Sequence, residues 1–140
     1  MLRSSTLLRM EPPLEPTWPV IIEAYWRHMA RARAAPPGQS PDMSDFWAWE
    51  AVESVWAGGV PEALVKLAQL AEGAPSADLL TYLGGGPLDD LVQLWPGEYE
   101  AEILAAAERS PNFATAMRTV YPSPYALQLW DRLDASASGR

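Results

Sequence analysis

Apolar residues recur every three to four positions along most of the chain, which is the periodicity of amphipathic helices. Between residues 18 and 133 these runs are short, and most are bounded by proline, glycine or serine. No stretch alternates apolar and polar residues as a half-buried strand requires. The pattern therefore predicts an all-α protein of about seven or eight short helices in antiparallel hairpins, packed as a bundle or a short solenoid-like stack.

Proline or serine marks most of the predicted helix starts, and glycine or proline most of the ends, because these residues suit capping positions. Ser110-Pro111 and Ser123-Pro124 are each predicted to begin a helix in this way, and the second helix is predicted to begin at Ser40-Pro41 or at Ser44. The predicted helices cover residues 19–35, 43–59, 61–72, 77–83, 87–95, 98–109, 110–121 and 124–133.

The length of the chain favours one domain. With 140 residues, of which 49% are apolar, we expect a single compact helical domain over residues 18–133. Residues 1–17 contain three prolines and little periodicity, so they are predicted to form an N-terminal arm. Residues 134–140 are small and polar and are predicted to form a flexible tail. In the last two helices, Tyr121 and Leu127 are predicted to face the core.

The stretch Leu79–Leu91 combines a helix end, three glycines, a proline and two acids. Gly84 is expected to adopt the left-handed conformation at a helix C-terminus. Pro87 suits the first position of the next helix, and Asp89 and Asp90 then lie at the positive end of its dipole. A phosphate-binding loop would need a lysine and a hydroxyl after the glycines, and neither is present. We therefore interpret this stretch as a structural corner between helices.

The net charge of −8 is unevenly distributed along the sequence. Residues 42–108 contain thirteen acids and one base, whereas the segments before and after each have a net charge of +2. The negative electrostatic field of residues 42–108 disfavours nucleic acid or an anionic membrane as a partner and favours a basic protein. The alternative interpretation is a solvated acidic face that keeps the protein soluble. The sequence also lacks the run of about eighteen apolar residues that a membrane span needs.

The sequence offers little material for catalysis. It has no cysteine and one histidine, His28, which we place on a helix surface among arginines. Asp42 and Asp45 have a spacing that allows them to chelate a cation, and Glu98 and Glu102 are predicted to share one side of a helix. Solvated faces and helix starts explain these acids better, so we predict no catalytic residue, no metal and no cofactor. A carboxylate-based metal enzyme is retained as an alternative.

The order of several segments resembles a family of small bacterial helical proteins of unknown function. The segments are WPVIIEAYWRH, DFWAWEAVESV, PEALVKLAQL, LLTYLGGGPLDDLV and ILAAAERSPNFATAMRTVY. The shared features are a leucine-rich turn at Leu79–Leu83, a Gly-Pro-Leu-acid-acid-Leu step at Gly86–Leu91 and a Pro-x-Phe segment at Pro111–Phe113. Where that family commonly has a histidine-glycine step, this chain has Leu94–Gly97. The resemblance covers about residues 18–121 and implies an all-helical fold without indicating an activity.

These observations predict a non-enzymatic, cytoplasmic module that binds a basic protein partner, of the immunity or inhibitor type. Its predicted contact residues are Asp89, Asp90, Trp95, Glu98 and Glu102. The alternative is a structural subunit that self-associates or assembles through an apolar, tryptophan-rich surface, since the sequence contains seven tryptophans.

Overall fold

The computed structural model describes residues 15–138, and within that range it is helical with no strand, so the predicted all-α class is confirmed. Residues 1–14, which hold most of the predicted arm, lie outside the described residues. The α-helices are α1 Trp18–Ala34, α2 Phe46–Glu53, α3 Val60–Glu72, α4 Thr81–Gly84, α5 Pro87–Leu94, α6 Glu100–Arg109, α7 Pro111–Met117 and α8 Pro124–Ser138. Short 3₁₀ helices, Val55–Gly58 and Ala77–Leu80, precede α3 and α4.

Where the sequence predicts one domain over residues 18–133, the chain groups into two compact units, Met1–Val55 and Trp56–Arg140. In the first unit α1 packs against α2. The buried face of α1 is formed by five consecutive or near-consecutive residues, Ala24, Tyr25, Trp26, His28 and Met29. Ser40-Pro41 does not begin a helix, because residues 40–43 are irregular and α2 starts only at Phe46.

Asp45, directly before α2, is the centre of a charged cluster in the first unit. Its carboxylate accepts hydrogen bonds from Arg27 Nε at 3.1 Å and from Arg31 Nη1 at 2.6 Å. Arg31 also donates to the Ser44 hydroxyl at 3.1 Å. Asp42 accepts from the Ser44 backbone N–H at 2.8 Å. The buried Asp45 carboxylate is therefore compensated by two guanidinium groups.

His28 is buried, contrary to the prediction of a surface histidine. Only 6% of its surface is exposed, and its ring lies edge-on to Phe46 with centroids 5.6 Å apart. Nδ1 is buried and has no hydrogen-bond partner among the described residues. Burial lowers the pKa of His28, and nearby Arg31 lowers it too, while Asp45 and Asp42 act in the opposite direction. The folded protein therefore holds His28 in its neutral form.

The buried histidine predicts a loss of stability on mild acidification. Since the pKa of His28 is lower in the folded than in the unfolded state, the unfolded chain binds the proton first as pH falls. Stability should be complete well above the unfolded pKa of about 6.5 and should decline as pH falls from about 7 toward 5. Urea unfolding at several pH values measures this decline.

The variant His28→Leu provides the control for that titration. It removes the one histidine and replaces a buried nitrogen without a partner by an apolar group, so stability at pH 7 should be equal or higher. Its stability should change less between pH 7 and 5 than that of the wild type. An unchanged slope in the variant would show that His28 is not responsible.

In the second unit α3 packs against both α6 and α7, which also pack against each other. Ser110 begins α7 as predicted, because its hydroxyl accepts from the Phe113 N–H at 3.0 Å. The same hydroxyl bonds to Glu72 Oε2 at 2.5 Å, which ties the end of α3 to the start of α7. Ser123 likewise accepts from the Ala126 N–H at 3.1 Å at the start of α8.

The glycine corner joins α4 to α5, as predicted, but Gly84 serves a different purpose. Gly84 is the last residue of α4, and positive φ among the described glycines occurs elsewhere. A Cβ at Gly84 would lie 1.7 Å from Thr119 Oγ1 and 2.6 Å from the Ala116 carbonyl oxygen. The glycine is therefore required because α4 and the end of α7 approach each other closely.

The last helix differs from the prediction in register and in length. Its buried residues are Ala126, Leu129 and Leu133, so the predicted inward position of Leu127 is wrong. α8 continues to Ser138, so the described part of the predicted tail is helical. An ion pair between Arg118 and Asp134, 2.5 Å apart, connects this extension to the residue after α7.

Candidate partner-binding groove

A shallow groove lies in the second unit between the end of α5 and the start of α8. It encloses about 270 Å³ and is mainly apolar. Its walls are formed by residues of α5, the following turn and the first residues of α8, namely Val92, Gln93, Pro96, Ser123, Pro124 and Tyr125.

The most exposed large apolar side chains of the described residues belong to the same elements. Leu94 is the last residue of α5 and is 66% exposed. Tyr121, which precedes the start of α8, is 64% exposed. Leu127, one turn beyond Pro124 and on the same side of α8, is 54% exposed. We call the six lining residues the α5–α8 groove; Leu94, Tyr121 and Leu127 are not among them.

Two of these exposed side chains were predicted to be buried, and the reasons are local. Pro122 disfavours a helical conformation for the residue before it, Tyr121. α7 ends at Met117, so Tyr121 lies outside that helix. Leu127 is displaced from the core because the small Ala126 faces inward in its place. Single exposed apolar side chains of this kind are common on protein surfaces.

Tyr125 holds the turn after α5 against α8. Its ring lies 3.9 Å from the position that a Cβ on Gly97 would occupy, and its hydroxyl donates to Glu100 Oε1 at 3.1 Å. Arg132 of α8 pairs with the same oxygen. Burial, followed by the hydrogen bond to Glu100, raises the pKa of Tyr125 to about 12. The phenol therefore stays protonated and keeps donating at neutral pH, which maintains the shape of the groove.

The two predicted contact acids of α5 have different environments. Asp89 is half-buried, and its Oδ1 accepts from Gln93 Nε2 at 3.2 Å and from the Tyr121 backbone N–H at 3.1 Å. It therefore attaches the segment before α8 to α5. Asp90 is exposed and has no ion-pair partner within residues 15–138. On the helix it is one turn from both Gln93 and Leu94, so it lies at the groove's edge.

The remaining predicted contact residues lie near the turn between α5 and α6. Trp95 is half-buried, and its ring is 6.0 Å from that of Trp56 and 6.2 Å from that of Tyr99. Glu98 is exposed in the turn, two residues after Pro96. α6 begins only at Glu100, so the prediction that Glu98 and Glu102 share a helix side is wrong.

Glu102 does not join the others. It is half-buried on α6, and in the described part of the chain it makes no hydrogen bond or ion pair with Asp89, Asp90 or Glu98.

A further exposed acid, Asp131, lies one turn beyond Leu127 on the same side of α8 and was not predicted. Asp90, Glu98 and Asp131 are the acidic edge of the α5–α8 groove. For the residues that the structure describes, none of the three has an ion-pair partner.

Two other cavities of the second unit are less suited to a partner. One, of about 240 Å³, lies between α6, α7 and α8, and its Arg118 is neutralised by Asp134. The other, of about 310 Å³, lies between α3 and the α6–α7 junction, and its carboxylate Glu72 is bonded to Ser110 and to the Asn112 N–H. Within residues 15–138, no group of three or more histidine or acidic side chains is arranged to hold a metal ion.

Comparison with known proteins found no match: no family model, curated protein or solved structure is similar enough to the chain to assign it. The resemblance to small bacterial helical proteins therefore stays a prediction. None of the helices between residues 15 and 138 combines the length and the apolar character that crossing a membrane requires.

Proposed function

We propose that this chain is a non-enzymatic acidic module that binds a basic protein partner through the α5–α8 groove. The observation that carries the proposal is the acidic edge formed by Asp90, Glu98 and Asp131, none of which has an ion-pair partner among residues 15–138. Elsewhere in the second unit, Glu62, Glu100 and Asp134 are paired with Lys66, Arg132 and Arg118, whereas Glu102 and Glu108 on α6 are not paired within the described residues. Acids that remain unpaired at one surface favour a cationic partner there.

The charge of the second unit supports a basic partner over a second copy of the same chain. Residues 56–140 contain five bases and eleven acids, so this unit has a net charge of −6. Two copies that met at this surface would bring like charges together without compensation. The self-assembly alternative rests on the tryptophans and the N-terminal arm; two of the seven tryptophans are buried and five are half-buried, and most of the arm lies outside the described residues. The proposal has a narrower form, in which the chain is an inhibitor-type or immunity-type protein of the cytoplasm. The absence of cysteine from the sequence is consistent with that reducing compartment.

Affinity capture with a matched pair of variants tests this proposal. The full chain, the edge variant Asp90→Asn/Glu98→Gln/Asp131→Asn and the control Glu50→Gln/Glu62→Gln/Glu108→Gln are used to capture proteins from lysate of the source cells. Both variants remove three negative charges, but only the first removes them from the groove. A basic protein should be retained by the wild type and the control at low salt and lost at high salt.

The edge variant should bind that protein about tenfold more weakly, because each exposed charge pair contributes about 0.5 kcal/mol. Melting temperatures of the three proteins check that folding is unchanged. Equal binding by the edge variant, or a partner that is acidic, would contradict the proposal.

A further inference from the structure

The contact between α1 and the start of α2 contains the one histidine of the chain. We propose that protonation of His28 separates α2 from α1 while the second unit stays folded, so that this contact acts as a pH-sensitive switch. The switch does not depend on the α5–α8 groove, and it specifies which part of the chain opens when acidification lowers stability.

The His28 ring lies at the contact between the two helices. It belongs to the buried face of α1 and lies edge-on to Phe46, the first residue of α2, with ring centroids 5.6 Å apart. Phe46 in turn stacks on Trp49, with ring centroids 5.2 Å apart. α2 therefore meets His28 with an aromatic side chain that cannot act as a hydrogen-bond partner for an imidazole nitrogen in the way that a carboxylate or carbonyl does.

A protonated His28 would lack an acceptor in this closed contact. Its Nδ1 is buried and has no hydrogen-bond partner among the described residues, whereas a protonated imidazole carries an N–H on both nitrogens. A buried donor without an acceptor, and a buried charge without its hydration, both favour a state in which water reaches them. The attraction of a cation to the Phe46 ring is a smaller effect than the hydration that is lost.

The charged groups around His28 already compensate one another. On α1, Arg31 lies one turn from His28, and its positive charge opposes protonation. Asp45 and Asp42 favour protonation, but both oxygens of Asp45 accept hydrogen bonds from Arg27, and one of them also accepts from Arg31. Burial has the largest influence and lowers the pKa of His28. The closed contact therefore suits the neutral ring.

The opening is expected to stay within the first unit. His28, Asp45 and Phe46 all belong to Met1–Val55, where α1 and α2 pack against each other. α2 has only eight residues, which is too short for a stable helix in water without tertiary packing. Its release from α1 should therefore expose its backbone hydrogen bonds to water, while α3, α6 and α7 keep theirs.

Hydrogen–deuterium exchange of the full chain at pH 7 and pH 5 tests the switch. The protection factor of each amide, which is corrected for the intrinsic exchange rate at that pH, is compared between the two conditions. In the wild type, protection of residues 46–53 should fall about tenfold, because a group that binds its proton in the open state shifts the opening equilibrium by up to tenfold for each pH unit below its exposed pKa. Protection in α3, α6 and α7 should not change.

Two His28 variants and one variant of α2 provide the controls. His28→Leu and His28→Gln do not titrate, so residues 46–53 should have the same protection at both pH values; glutamine retains a polar side chain in case leucine alters the packing. Glu50→Gln removes an exposed titratable group from α2 and keeps His28, so it should respond to pH as the wild type does.

Three results would overturn the switch. Unchanged protection of residues 46–53 in the wild type at pH 5 would show that the closed contact accommodates the imidazolium, for example by a turn of Asp45 toward it. An equal fall in both His28 variants would show that other groups cause the opening. An equal fall in α3, α6 and α7 would show that acid unfolds the whole chain and that no separate opening of the first unit exists.

Discussion

Replacing Gly84 by alanine is expected to lower the free energy of unfolding by about 3 kcal/mol, which is the upper part of the range for overpacking a well-packed interior. The added Cβ would lie 1.7 Å from Thr119 Oγ1 and 2.8 Å from Thr119 Cβ. Rotation of the threonine side chain cannot relieve the conflict, because the Ala116 backbone carbonyl oxygen is only 2.6 Å away. Either α4 or α7 must move, and both contribute to the core of the second unit.

The variant Gly58→Ala is the matched control for this experiment. Its Cβ would meet the nearest atom, Glu62 Oε2, at 3.4 Å, and its backbone does not have a positive φ. Because alanine restricts the unfolded chain more than glycine does, this variant should be neutral or slightly stabilising. Urea unfolding followed by circular dichroism compares the two. Equal stability of Gly84→Ala and the wild type would contradict the close approach of α4 and α7.

Replacing Asp45 by asparagine is expected to lower the stability of the first unit by about 2 kcal/mol. The buried carboxylate compensates two guanidinium groups, Arg27 and Arg31, and the asparagine leaves both without it. Removal of one member of a fully buried ion pair costs about 3–5 kcal/mol, but these arginines are partly exposed, so water screens them and the cost is smaller.

Glu50→Gln makes the same charge change on α2 of the same unit and provides the control. Glu50 is exposed, and its side chain makes no hydrogen bond or ion pair among residues 15–138. Thermal unfolding of both variants should therefore show a large decrease for Asp45→Asn and little change for Glu50→Gln. Similar decreases would indicate that general charge balance, and not the arginine cluster, stabilises this unit.

The helical class and most helix limits were predictable because they depend on local signals. Ser110 and Ser123, each followed by proline, begin helices as expected, since a capping hydroxyl acts within three residues of its own position. Ser40 has the same neighbour and fails, because its following segment does not become helical before Phe46. Capping residues thus permit a helix start without determining it.

The features that the sequence did not reveal depend on contacts between distant residues. His28 is buried because Asp45 and the start of α2 at Phe46 pack against α1, and nothing near His28 in the sequence indicates that contact. Gly84 is required by Ala116 of α7 and by Thr119 in the turn that follows α7. The local pattern predicts a surface position for His28 and a left-handed conformation for Gly84. Both predictions would suit an isolated helix, and both are wrong for the packed protein.

The predicted contact residues stay a prediction, and the structure shows where three of them lie. Asp90 is one helical turn from Gln93 and Glu98 is two residues after Pro96, whereas the Trp95 ring lies beside those of Trp56 and Tyr99. Leu127 was assigned to the core because it is more apolar than Ala126, although the smaller residue fits the closer approach. Asp131 was then overlooked, since its significance depends on Leu127 facing outward.

The measurement that tests the central claim most directly is a titration of the ¹⁵N-labelled full chain with a lysine-rich basic peptide, followed by chemical-shift mapping. The account predicts saturable shifts concentrated at residues 89–98 and 121–131, which are greatly reduced in Asp90→Asn/Glu98→Gln/Asp131→Asn. Saturable shifts concentrated on α3 or in the first unit, with the α5–α8 groove unaffected, would contradict it.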